Sequence, residues 1–225
     1  MTNNKSIKNS SKVIAILQAR MTSSRLPGKV LKPIVGQSML SLQVERTKCS
    51  QLIDELIIAT STEDSDQPIQ DWCIKNTIKC FRGNLNNVLE RYFQAAKKHP
   101  SDHIVRMTAD CPLIDSSIID EVIKLHLREK NDYTSNCIEP TFPDGLDVEV
   151  MTYKALKNSW ELSYKTSEKE HVTLYIRNHP ERYKIGSFKN NINLQEKRWT
   201  VDYIEDFNLI LMNRSSGFTN IVIEL

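Results

Sequence analysis

The stretch from Gln18 to Lys32, QARMTSSRLPGKVLK, leaves an apolar run and at once gathers Arg20, Thr22, Ser23, Ser24, Arg25, Gly28 and Lys29. Hydroxyls and backbone N–H groups can wrap phosphate oxygens, guanidinium groups can grip them in bidentate fashion, and a lysine adds a compact point charge. Pro27 and Gly28 supply the turn that brings Lys29 back over the loop. The bland alternative is a solvated basic loop. Transfer of a phosphoryl or nucleotidyl group depends on positioning and charge neutralisation more than on covalent work, so carboxylates able to hold Mg²⁺ are the companions to look for. Asp110, in TADCP, ends a strand-like run just before Pro112, and Asp202, in WTVD, ends a late apolar segment. Either could instead cap a turn or a helix.

Such residues need a scaffold, and the hydrophobic pattern names one. VIAILQA (13–19), ELIIATS (55–61) and HIVRMTA (103–109) read as strands, with helical periods near 38–49 and 67–76. Val88, Leu89, Tyr92, Phe93 and Ala96 share one helical face, and Ile118, Ile119, Val122 and Ile123 another, opened by Asp115. Apolar strands alternating with amphipathic helices predict an α/β domain whose mostly parallel sheet is covered on both sides, with ligands at the carboxyl ends of its strands. From about 131 the pattern changes. Pro140, Pro143 and Gly145 form a turn, and Leu146, Val148 and Val150 alternate with Asp147, Glu149 and Met151, which predicts a strand pair or inserted lobe over 131–165. A helix near 153–163, a capping box at Ser167 and Glu170, the strand YKIGSFK and a helix from about 204 to 213 follow.

Composition narrows the function classes. Lys and Arg number 30 against 28 Asp and Glu, a formal charge of +2, which does not suit an extended polyanion such as nucleic acid. The balance is uneven: seven basic residues precede Glu45, the first acidic one. The six glycines give neither a dinucleotide fingerprint nor a G-x-x-x-x-G-K-[ST] loop. The five cysteines form no C-x-x-C pair and read as thiols of a reducing compartment. No apolar run reaches the length of a membrane span. The polar segment 1–12 lacks acids, arginine and an apolar face, so it reads as a disordered tail rather than an organelle presequence, ahead of one domain over 13–225.

At this point the motifs resemble a family. A-R-x-x-S-S-R-L-P-G-K after a hydrophobic strand is similar to the CTP-binding signature of the cytidylyltransferases that activate 3-deoxy-manno-octulosonic and N-acylneuraminic acids. The chain resembles most closely the SpsF-like branch, the spore-coat polysaccharide cytidylyltransferases. FRGNLNNVLERYFQAAK, VRMTADCPLID, FPDGLDVEV, EKEHVTLYI and RWTVDYIEDFNLI stand in that family's order. The resemblance implies a glycosyltransferase-A-like, Rossmann-related nucleotidyltransferase that joins CMP from CTP to an acceptor and releases pyrophosphate. It implies a nucleotide site at Leu17, Gln18, Ala19, Arg20, Ser23, Ser24, Arg25, Lys29, Arg82, Gly83 and Asp110, catalytic roles for Arg20, Lys29, Asp110 and Asp202, and Mg²⁺ on Asp110 and Asp202. The choice of cytosine over uracil rests on the resemblance alone.

Asp144, Asp147, Glu149, Glu170 and His171 are candidate contacts for the acceptor. Asp147 and Glu149 could equally form a solvated strand face, Glu170 a cap and His171 a satisfied core histidine. A zinc site has no support in the pattern. The expected enzyme is a cytoplasmic homodimer that uses a sugar acid as acceptor for surface polysaccharide or glycan synthesis, without membrane insertion. A phosphonate or polyol phosphate acceptor is the alternative, and residues 131–152 hold no Lys or Arg to receive one. A catalytically silent subunit of the same fold is a third reading, although Lys29, Asp110 and Asp202 are all present. The chain departs from the family pattern at Asn87, Lys169, and Tyr203 with Ile204.

Overall fold

The computed structural model describes residues 11–215. Strand β1 (Val13–Gln18) is apolar throughout because both its faces are covered: Val13, Ala15 and Leu17 join one core, and Ile14 and Ile16 the other. It pairs in parallel with β4 (Glu55–Ser61) on one side and β6 (His103–Thr108) on the other, and β4 pairs in parallel with β5 (Lys79–Gly83). A short antiparallel hairpin, β2 (Pro33–Ile34) and β3 (Gln37–Ser38), follows the basic loop. Gln18 lies opposite both Ala59 and Thr108, so the carboxyl ends of the middle strands stop level with one another. What leaves those ends must share one rim.

Helices α1 (Met39–Lys48), α2 (Gln67–Lys75) and α4 (Ser116–Glu129) supply one core, and α3 (Val88–Lys98), α5 (Tyr153–Leu162) and α7 (Leu174–Asn178) the other. Their starts are capped from the sequence: Ser38 accepts from Ser41 N–H, Asn87 from Glu90 N–H, Asp115 from Ser117 N–H and Thr152 from Ala155 N–H. Each cap satisfies a backbone donor that the first helical turn leaves without a partner.

The seven-stranded sheet runs β5-β4-β1-β6-β8-β7-β9, where β7 is Tyr133–Ser135, β8 is Glu149–Thr152 and β9 is Ile185–Ser187. Only β8 is antiparallel to its neighbours. The strand pair expected in a lobe over 131–165 is thus present, but it belongs to the main sheet, with α5 covering it, and forms no separate lobe. The alternation along β8 divides one core from the other, since Val148 and Val150 pack on one face and Met151 on the opposite face. Glu149 shares the Met151 face and is buried, which rules out for it the alternative of a solvated strand face.

Two further expectations change. Lys12 is part of the fold rather than of a tail, because its N–H donates to Asp102 at 2.7 Å and its carbonyl accepts from Asp102 and His103. The expected tail otherwise lies outside the described residues. Helix α6 (Thr166–Glu170) is capped by Glu168, which accepts from Lys165 N–H at 3.4 Å, so the box expected at Ser167 and Glu170 does not form. All five cysteines are unpaired.

The segment after Pro143 lies directly on residues 197–202, with Asp144 N–H donating to Lys197 and Asp144 C=O accepting from Trp199 and Thr200. Gly145 makes that approach possible: its φ is +106°, and a Cβ there would stand 2.4 Å from Thr200 N. Gly145→Ala should therefore cost roughly 3 kcal/mol of stability, from left-handed strain and backbone overlap together. Chemical denaturation measures this, and a loss under about 0.5 kcal/mol would mean that the two segments separate freely.

Candidate active site

The basic loop is shaped by its own backbone. Ala19 N–H still pairs with Ala59 O, and then Gly28 N–H and Ser23 N–H both return to Met21 O. Met21 N–H donates to Asp66 at 2.7 Å, and Asp66 also accepts from Ser61 N–H and Ser61 Oγ. This buried carboxylate pins the loop to the end of β4. Gly28, at φ 70°, turns the chain into a single 3-10 turn at Lys29–Leu31.

Lys29 is only 7% exposed. Its ammonium donates to Val201 O at 2.6 Å, to Asp202 at 3.0 Å and to Asp110 at 3.4 Å, which uses its three protons on three acceptors. The segments carrying the two aspartates are themselves joined, since Val201 N–H and Thr200 Oγ1 donate to Asp110 O. Asp202 also receives Arg25 at 2.7 Å and Arg198 at 2.9 Å. Partial burial pushes its pKa up, but the hydrogen bonds from Lys29, Arg198 and Arg25 outweigh this and hold it at about 2. Arg25 lies over the Tyr203 ring as well, 5.0 Å from its centroid. Arg198, which the sequence reading passed over, ties Asp202 to Asp144.

Around this centre opens a cavity of about 250 Å³. Gln18, Ala19, Arg20, Ser23, Ser24, Arg25, Lys29, Asp110, Glu170, His171 and Asp202 line it, so most of the expected nucleotide and catalytic residues do converge. Leu17 does not: its side chain is wholly buried in the core. Arg82 and Gly83 lie off the cavity. All of Arg82's guanidinium nitrogens are occupied, by Ser61 O, Glu63 O, Gln67 and Gln70, and they hold the turn after β4 to α2. His171 is exposed on the rim rather than buried. Leu85, Val88, Arg91, Arg106 and Thr108 also line the space and were not anticipated. Arg106 left a trace in the sequence as a lone cation inside the strand HIVRMTA; Arg91 left none beyond its place on the inner face of α3.

A second cavity, of about 220 Å³, shares Arg106, Thr108 and His171 with the first and adds Cys137, Asp147, Glu149, Thr173 and Arg177. Asp144 lines neither cavity. Glu149 is fully committed, ion-paired with Arg106 and accepting from Tyr133 at 2.5 Å and Thr173 at 2.6 Å. It braces Arg106, and three of its acceptor positions are taken up within the protein. Asp147 opens onto solvent yet stands among protein atoms, and this desolvation, with the Asp144 charge next, raises its pKa to about 6. The meeting of Asp110 and Asp202 at one ammonium shows that hard oxygen donors from both can reach a common point. No group of three or more His, Cys, Asp or Glu with ligand spacing occurs among the described residues. A divalent ion held by these two aspartates would take its other ligands from phosphate oxygens and water, the habit of magnesium.

An open parallel sheet whose rim carries a cationic loop facing two carboxylates defines a nucleotidyltransferase. The chain belongs to the cytidylyltransferase family, whose profile matches residues 14–215. It is 33% identical to the spore coat polysaccharide biosynthesis protein SpsF of Bacillus subtilis over 210 residues, covering 88% of this chain and 84% of that one. A cytidylyltransferase structure from Leptospira borgpetersenii superposes with a TM-score of 0.87 at 34% identity, over 92% of this chain and 87% of the other. A CMP:2-keto-3-deoxy-manno-octonic acid synthetase complexed with CTP shares the fold, with a TM-score of 0.70 at 16% identity, over 92% of this chain and 100% of that one. No helix among the described residues is long and apolar enough to cross a membrane.

The raised pKa of Asp147 has a stability consequence with a definite sign. The folded state binds this proton more tightly than the unfolded chain, so the contribution is present below about pH 4 and lost as pH rises through about 6. Asp147→Asn should therefore raise Tm relative to the parent at pH 8, with the gain vanishing at pH 4. A gain that is the same at both values would remove the charge explanation.

Proposed function

We propose that this protein is a magnesium-dependent cytidylyltransferase that moves CMP from CTP to an acidic sugar and releases pyrophosphate, in surface polysaccharide or glycan synthesis. The observation that carries the reading is the convergence of Lys29 on Asp110 and Asp202 inside a cavity whose other wall offers Ser23, Ser24, Arg20 and Arg25. Asp110 and Asp202 would hold the Mg²⁺, which when bound neutralises phosphate charge and polarises the phosphorus under attack. The remaining work falls to the protein. Lys29, released from its carboxylates, and Arg25 and Arg20 take up the negative charge that gathers on the departing pyrophosphate. The Ser23 and Ser24 hydroxyls and loop amides orient the phosphate chain for in-line attack by an acceptor oxygen.

The second cavity is the place for the acceptor in this reading. It opens beside the first, and its polar groups suit a small polyhydroxylated acid: Arg177 for a carboxylate, with His171, Thr173 and Asp147 for hydroxyls. A cytoplasmic homodimer completes the proposal.

The test is pyrophosphate release with CTP, UTP, ATP and GTP against a panel of ulosonic acids and sugar phosphates, together with calorimetry of CTP binding. Turnover with CTP and an acid sugar is expected, and chelation with EDTA should abolish it. Absence of turnover with every acceptor, and of CTP binding, sinks the enzyme reading. Lys29→Met and Asp110→Asn should each lower kcat by on the order of 10² or more, since each removes a preorganised charge at the reacting phosphate. Both proteins should keep a cooperative thermal transition, and loss of that transition would make the roles structural.

A further inference from the structure

Two arginines stand in the cavity wall, Arg91 buried and Arg106 half-buried, and the Nε of each has no partner, but they differ in countercharge. Arg106 has a carboxylate, Glu149. Arg91, 3% exposed, has none within ion-pairing distance among the described residues: its Nη1 donates to Asn84 O at 2.9 Å, and its Nε has no partner. Burial lowers the Arg91 pKa and the nearby Arg20 charge adds to this, while Tyr92 and Asp66 partly offset it, but the oxygens of Asp66 are already taken by Met21 and Ser61. What Arg91 lacks is hydrogen-bond acceptors more than countercharge.

Its surroundings say what kind of acceptor. The Arg91 stem lies against Gly83 at the end of β5, where a Cβ would meet Arg91 Cγ at 3.0 Å. Asp110 follows β6, three strand positions away in the sheet, on the order of 14 Å at the usual strand spacing. The charged centre therefore lies toward one side of the cavity, and Arg91 toward the other, beside the apolar Leu85 and Val88. That separation suits a nucleoside with its phosphates at Lys29 and its base beside Leu85 and Val88.

Resting on the nucleotidyl-transfer reading above, we infer that Arg91 selects the base, donating from its guanidinium to adjacent acceptor atoms on the pairing edge of cytosine. Cytosine presents two neighbouring acceptors there, N3 and O2, whereas uracil replaces the first with an N–H donor. A guanidinium carries donors only, so uracil would set donor against donor in a buried place. Gly83 acquires a role as well: it leaves room for the Arg91 stem instead of touching the nucleotide.

The experiment measures binding of CTP, UTP and inorganic tripolyphosphate, each with Mg²⁺, to the parent protein and to Arg91→Met by calorimetry. The parent should bind CTP at least about tenfold tighter than UTP. Arg91→Met should bring that ratio close to one while leaving the tripolyphosphate Kd within about twofold, because a base-reading residue does not touch the phosphates. A tripolyphosphate affinity that falls along with that of CTP would make Arg91 a phosphate ligand and overturn the inference, as would a CTP preference that survives the substitution. Should the parent bind no CTP at all, the nucleotidyl-transfer reading fails first, and with it this inference. Gly83→Ala keeps the charge and displaces the stem, so it should narrow the same ratio and serves as the test if Arg91→Met does not fold.

Discussion

The Lys29 ammonium is the contact on which the site depends. A cation with 7% of its surface exposed has lost most of its hydration, and its three acceptors replace it: one carbonyl and two carboxylates drawn from the segments after β6 and before α8 (Ile204–Ser215). Without that charge, Asp110 and Asp202 would repel each other at the rim. With it, they are held near one point, and the loop that carries Lys29 is held too. The turn at Gly28, the anchoring of Met21 by Asp66 and the resting of Gly145 on Thr200 all serve this one meeting.

A second pair, Arg106 with Glu149, does similar work between the cavities. Glu149 lies on the inner face of β8 where it borders the second cavity, and Arg106, Tyr133 and Thr173 hold its carboxylate there. The wall shared by the two cavities is therefore stiff, and Arg106 presents a fixed face to whatever lies on either side. The charges at the rim are graded: committed pairs in the walls, a shared lysine at the centre, and Arg20 at the mouth with no ion pair among the described residues.

Much of this was legible in the chain. The apolar run 13–17, the inner-facing residues of α3 and α4 and the cap at Asp115 follow from periodicity and turn chemistry, which are local properties. Lys29 and Asp110 could be placed because they lie in the segments that follow strands whose ends must share a rim. What could not be read depends on distant partners. Glu149 looked solvent-facing because alternation does not reveal whether a second core waits on the other side. Arg82 looked like a ligand until Ser61, Glu63, Gln67 and Gln70 were seen to consume it. Arg198 reaches Asp144 across 54 residues, and no local pattern marks it or Arg91.

The separation of the partners bears on how the protein is made. Lys29 lies 81 residues from Asp110 and 173 from Asp202. A chain emerging from the ribosome has β1 and its loop early, but the carboxylates that neutralise Lys29 arrive one after the other and late. Until the segment around Asp202 has been synthesised, the loop is a cluster of uncompensated positive charge beside a partly formed sheet, open to chance polyanions in the cell. Closing contacts of such long range is slow, because chain entropy is lost before the contacts reward it. The charged centre therefore cannot be complete before the segment that carries Asp202 has joined the strands around β1.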